Sequence, residues 1–123
     1  RKYDDLRVAE ETVTVRDVFS KLSKPGRRTG AVILVDENGK LSGLFTDSDL
    51  ARIFESRLDQ ALDKPIAEVM TVDPVTVPSG TRMRDAVHIL KDRKFSELPV
   101  IDEELRPVGL IDVTDCIHLF PTG

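Results

Sequence analysis

Apolar residues along this chain recur with two different periods. Runs such as Ala31-Val32-Ile33-Leu34-Val35 and Leu98-Pro99-Val100-Ile101 are short, largely aliphatic and bounded by polar turns, which marks buried strands. Between such runs lie stretches in which apolar positions return every three or four residues. From Arg82 onward, Met83, Ala86, Val87 and Leu90 form one such stripe, with charged residues opposite, so all four are expected in a core. The pattern predicts strands over residues 7–9, 31–35, 41–45, 75–77, 98–101 and 108–111. Helices are expected over residues 14–23, 47–58, 82–94 and 113–119. Glu37-Asn38-Gly39-Lys40 joins two of the strands, and its Asn-Gly pair suits the positive φ of a tight hairpin turn.

These elements repeat. Val13-Thr14-Val15-Arg16-Asp17-Val18 lies over Thr81-Arg82-Met83-Arg84-Asp85-Ala86 at an offset of 68 residues. Ala31-Val32-Ile33-Leu34-Val35-Asp36 lies over Glu97-Leu98-Pro99-Val100-Ile101-Asp102, and Gly43-Leu44-Phe45 over Gly109-Leu110-Ile111, at an offset of 66. The difference falls in Lys24-Pro25-Gly26-Arg27-Arg28, a run of turn formers that lengthens one loop of the first copy. Each copy reads β-α-β-β-α, which gives a mixed α/β (α+β) fold. The expected boundaries are 1–62 for the first copy with its lead-in, 63–74 for a linker, and 75–123 for the second copy. A three-stranded unit with two helices leaves sheet surface uncovered. Packing the copies about a pseudo-twofold axis, as an intramolecular dimer, would bury it.

Composition narrows the function classes. The 123 residues are 40% hydrophobic and 33% charged, a globular balance at a length that builds a core without disulfides. Cys116 is the single cysteine, so multi-thiolate metal sites and CxxC redox chemistry are excluded. The longest apolar run is Ala31–Val35, far below the roughly 20 residues of a membrane span. Residues 1–5 carry charges and no apolar core, so the expectation is a cytoplasmic protein with no membrane partner. The chain opens on Arg1 in place of methionine, which marks it, as an expectation, as a piece of a longer protein. Eighteen basic residues against 22 acidic ones, a net charge of −4, one tyrosine and no tryptophan argue against a nucleic-acid partner.

The stretch Gly43-Leu44-Phe45-Thr46-Asp47-Ser48-Asp49-Leu50 ends a strand and opens a helix. Thr46 stands where an N-cap belongs and Asp49 three residues later, the spacing of a capping box. The same placement would gather helix N-terminal amides, a hydroxyl and a carboxylate around one crevice. Such a crevice suits a phosphorylated, ribose-bearing ligand.

The tandem copies, GLFTDSDL, and PVTVPSGTRMRDAVHILKDRKFSELPVIDEELRPVGLIDVTD together resemble a pair of CBS domains, a Bateman module, over residues 7–120. GAVILVDENGKLSGLFTDSDLARIF followed by VMTVDPVTV is similar to the C-terminal CBS pair of D-arabinose 5-phosphate isomerases, the KpsF/GutQ sugar isomerase family. The resemblance implies a regulatory module, fused to an upstream sugar isomerase domain, that binds an adenosyl effector such as AMP, ATP or S-adenosylmethionine. For the sugar isomerases it adds a nucleotide-activated sugar acid. It further implies that Thr46, Ser48 and Asp49 contact ribose and phosphate, with Gly43 and Leu44 along the base. Lys94, Phe95 and Ser96 of the other copy would complete that cleft, Lys94 as the phosphate partner, and a homodimer of such pairs is expected.

Two features depart from that pattern. The second copy reads GLIDVTDC, so Asp112 replaces the hydroxyl and, with Asp115, repels an anion. A second cleft, formed with Thr114, would then depend on Arg27 and Arg28 for compensation. Glu97 poses a milder form of the same conflict in the first cleft. His88 and His118 lack metal-ligand spacing and read as solvated or core-edge residues, and Cys116 reads as a small buried hydrophobe. No nucleophile, base and oxyanion set is visible, so the chain alone is not expected to be an enzyme. The competing reading is a ligand-free oligomerisation element of the same isomerase.

Overall fold

A computed structural model describes residues 7–22, 31–55 and 62–112. They divide into two units, residues 7–74 and, among the described residues, 75–112. The first holds β1 (Val8–Glu10), α1 (Val15–Leu22), β2 (Ala31–Val35), β3 (Leu41–Thr46), α2 (Asp47–Glu55), a 3₁₀ turn (Ile66–Glu68) and β4 (Thr71–Val72). The second holds β5 (Val77–Pro78), α3 (Met83–Arg93), β6 (Glu97–Ile101) and β7 (Pro107–Asp112). The helix expected over residues 113–119 lies outside the described residues.

In the first unit the sheet order is β1-β2-β3-β4, with β1 parallel to β2 and the other pairs antiparallel. The second repeats three of these strands as β5-β6-β7, with β5 parallel to β6 and β6 antiparallel to β7. The crossover between each parallel pair is the helix, α1 or α3. One face of each sheet carries a core. Val15, Val18, Val32, Leu34, Phe45, Ile53 and Ile66 make the first, and Val77, Ala86, Leu90, Leu98 and Ile111 the second. β2 is buried along its whole length, as its unbroken apolar sequence requires.

The repeat extends to hydrogen bonds. The Asp36 carboxylate accepts from the amides of Asn38 at 2.8 Å and Lys40 at 3.0 Å, and Asp102 accepts from Glu104 and Arg106, each at 2.9 Å. Both hairpins carry a register shift just before that aspartate, at Leu34/Val35 and at Val100/Ile101. The first turn thus extends beyond the Asn38-Gly39 pair. Only Gly39 of that pair has positive φ, at 81°, because Asp36 closes a longer loop. Leu105 occupies the matching position at φ 67°.

Two other expectations are corrected. Met83 is 43% exposed, while Ala86 and Leu90 are buried and Val87 is half-buried. Met83 opens α3, and its counterpart Val15, which opens α1, is fully buried, so the first turn of the stripe is covered in one copy and open in the other. The stretch expected as a linker, residues 63–74, is built into the first unit. Ile66 is fully buried, its amide donates to Val13 O at 2.7 Å, and Thr71 and Val72 pair with Leu44 and Gly43. Arg16 of α1 meets Asp63 at 3.1 Å on the surface, and that carboxylate holds the guanidinium above its ordinary pKa.

The copies differ at one helix start. The Thr14 hydroxyl accepts from the Asp17 amide at 3.2 Å, whereas Arg82, the N-cap of α3, makes no side-chain cap bond. Supplying the missing acceptor with Arg82→Asp is expected to stabilise the protein by about 1 kcal/mol, and Thr14→Ala to cost about as much. Urea midpoints of the two variants, moving in opposite directions, check this.

Candidate functional site

The junction of β3 and α2 carries the side chains singled out by the sequence. β3 ends at Thr46, paired with Ala31, and the chain turns directly into α2. The Thr46 amide donates to Asp49 Oδ2 at 2.8 Å and its hydroxyl to the same oxygen at 3.2 Å. The Asp49 amide donates back to Thr46 Oγ1 at 3.3 Å. This is a reciprocal capping box, with Asp49 buried. Its other oxygen, Oδ1, accepts from Arg52, an exposed side chain one turn further along α2. Sequence reasoning missed Arg52. The signal was present, since a carboxylate followed three residues later by a basic side chain shares one helix face.

Ser48 is exposed in the first turn of α2, where the leading amides have no intrahelical acceptor. Leu44 is buried in β3. Gly43 has a structural task of its own, because a Cβ there would stand 2.3 Å from Met70 Sδ. The absent side chain lets Met70, just before β4, lie across the sheet.

The remaining candidates belong to the second unit or lie outside the described residues. Lys94 and Ser96 are exposed and Phe95 half-buried after α3, with Arg93 stacked 5.5 Å from the centre of the Phe95 ring. Lys94 terminates α3 in the left-handed region, φ 57°, and its amide donates to the Leu90 and Lys91 carbonyls. Glycine is the usual residue at such a stop, so this lysine bears a backbone cost. Asp112 is buried at the end of β7 and stands in register with Glu97 of β6, as Thr46 does with Ala31. His88 is exposed on α3. Arg27, Arg28, Thr114, Asp115, Cys116 and His118 lie outside the described residues. Among the described residues no group of three His, Cys, Asp or Glu is placed to hold a metal ion, and no helix is long and apolar enough to cross a membrane.

A family model described as the CBS domain matches residues 4–56 and 66–121. The chain is 36% identical over 115 residues to the arabinose 5-phosphate isomerase GutQ of Escherichia coli strain K12, covering 94% of this chain and 35% of that protein. It is 38% identical over 89 residues to the arabinose 5-phosphate isomerase KdsD of Pseudomonas aeruginosa, covering 72% of this chain and 27% of that one. It thus spans 35% or less of these relatives. The crystal structure of the cytosolic domain of the Mg2+ channel MgtE in complex with ATP is similar with a TM-score of 0.77 at 27% identity, over 94% of this chain and 45% of that one.

The junction makes two predictions. Thr46→Ala and Asp49→Ala are each expected to cost about 1–2 kcal/mol, and the double variant less than the sum, because both remove the same box. Equilibrium unfolding of the three variants tests that coupling. Gly43→Ala is expected to cost about 1–3 kcal/mol through overpacking, and adding Met70→Ala to restore part of it. Independent, additive losses in that cycle would show that Met70 is not the obstacle.

Proposed function

The chain belongs to the CBS domain family, and we propose that it is a regulatory module that binds an adenosyl nucleotide at the β3–α2 junction and signals occupancy to a fused sugar-phosphate isomerase domain. The observation that carries the reading is the junction itself. A buried carboxylate, a threonine hydroxyl and helix N-terminal amides converge there, the acceptors and donors that a ribose and a phosphate require. The ATP complex of the MgtE cytosolic domain supports the nucleotide class. The isomerase relatives support arabinose 5-phosphate to ribulose 5-phosphate interconversion as the reaction under control. In this reading Thr46, Ser48 and Asp49 hold ribose and phosphate, and Gly43 and Leu44 border the base. The protein acts in the cytoplasm as a homodimer and has no catalytic residues in this segment.

A ligand-free oligomerisation module is the second reading, favoured by one observation. Both oxygens of Asp49 are already engaged by Thr46 and Arg52 without any ligand. The acidic pair Glu97 and Asp112 adds to it at the corresponding position of the second copy.

Thermal unfolding with AMP, ADP, ATP, S-adenosylmethionine and a cytidine-linked sugar acid separates the two. A ligand at a hundred times its Kd adds about 2.7 kcal/mol, a shift of several degrees at this size. The expected result is a shift with at least one adenosyl nucleotide, confirmed by calorimetry and lost in Asp49→Asn. No shift with any of them at millimolar concentration would leave the oligomerisation module as the function.

A further inference from the structure

Arg52 is anchored in the last turn of α2, where the helix dipole favours a cation. Its guanidinium nevertheless reaches back to Asp49 in the first turn. It therefore lies one carboxylate away from the Thr46 amide, at the positive end of the helix, with Asp49 between them. The arginine side chain is 69% exposed and the carboxylate 6%, so the pair sits at the mouth of the junction with its cationic half in water. An i,i+3 ion pair with one exposed partner is weak and exchanges readily.

The lone pairs of Asp49 are unequally committed. Oδ2 accepts from both the amide and the hydroxyl of Thr46, which closes the capping box. Oδ1 accepts from Arg52, so Oδ1 is the atom a ribose hydroxyl must share or take over. A neutral nucleoside that does so strips the guanidinium of its carboxylate and leaves a cation beside the helix's positive end. A ligand that also carries a phosphate gives the same planar guanidinium two oxygens to bridge in exchange.

We propose that Arg52 is the residue that makes this site prefer phosphorylated over unphosphorylated nucleosides, by changing partner from the Asp49 carboxylate in the free protein to the ligand's phosphate in the complex. The inference rests on the nucleotide-binding reading above. The test is calorimetry of the 123-residue chain with AMP and with adenosine, for the unmodified protein, Arg52→Gln and Arg52→Lys. Arg52→Gln is expected to weaken AMP while leaving adenosine as tight or tighter, so that the AMP-over-adenosine ratio falls about tenfold. Arg52→Lys keeps the charge without the fork and is expected to retain most of the ratio at low salt and lose it as salt rises. If Arg52→Gln weakens both ligands by one common factor, or leaves the ratio unchanged, Arg52 merely orients Asp49 and the proposal fails while the nucleotide reading stands. If the unmodified protein binds neither ligand at millimolar concentration, this proposal falls, and the nucleotide reading falls with it only if ADP, ATP and S-adenosylmethionine fail as well.

Discussion

The register of the hairpin between β2 and β3 is the constraint on which the rest of the structure depends. Side chains alternate across a strand, so a slip of one residue would turn Phe45 out of the core and send Leu44 into it. The chain prevents that slip with a backbone device. Asp36 binds two amides of its own turn, and a register shift at Leu34/Val35 absorbs the odd residue. With the register fixed, Phe45 is fully buried, Gly43 faces Met70, and Thr46 ends opposite Ala31 at the start of α2. The capping box is thus a downstream consequence of a turn ten residues earlier, and the same turn recurs at Asp102 in the second copy.

The atoms that start α2 are also those a ligand would use, and this limits how the site can work. Thr46 and Asp49 satisfy each other in the free protein, so the site is preorganised at the level of the backbone. A ligand gains by adding bonds to free lone pairs and helix amides, without dismantling the box, whose removal would expose orphan donors at a helix end. Oδ1 is the exception, because its partner is a solvated arginine and not part of the cap. The exchangeable contact and the structural contacts are therefore separated onto two oxygens of one carboxylate.

Much of this was legible in the sequence because each signal was local or repeated. Ala31–Val35 was bounded by its unbroken apolar run, and β6, β7 and α3 fell within a residue of expectation because the second copy echoes the first. The Thr46 and Asp49 pairing followed from spacing alone. What escaped was set by reach or by distant docking. Residues 63–74 read as a linker because nothing local reveals that Ile66 completes a core or that Val72 pairs with Gly43. Periodicity placed Met83 on the buried stripe, but it carries no information about where the stripe ends. The Asn38-Gly39 pair pointed to positive φ, which holds at Gly39, while the role of the Asp36 carboxylate outside that pair went unread.

The two copies have kept and lost different things, and the division has a physical logic. The strand core positions and the register-setting aspartate are retained, since a change there would misplace every later side chain, whereas the first core position of the helix, Val15, becomes the exposed Met83. Polar positions at element ends have diverged. Arg82 stands for Thr14 at a helix start, Leu105 for Gly39 in the left-handed region, and Asp112 for Thr46 at the end of β7. A leucine in that backbone region bears a local cost of roughly 1–2 kcal/mol, small enough for a packed core to absorb. The exchange of Thr46 for Asp112, with Glu97 opposite in place of Ala31, instead alters the electrostatics. It sets two carboxyls where the first copy has a hydroxyl and a methyl. Within the proposed function, it is the hydroxyl-bearing junction at Thr46 that is read as suited to a nucleotide.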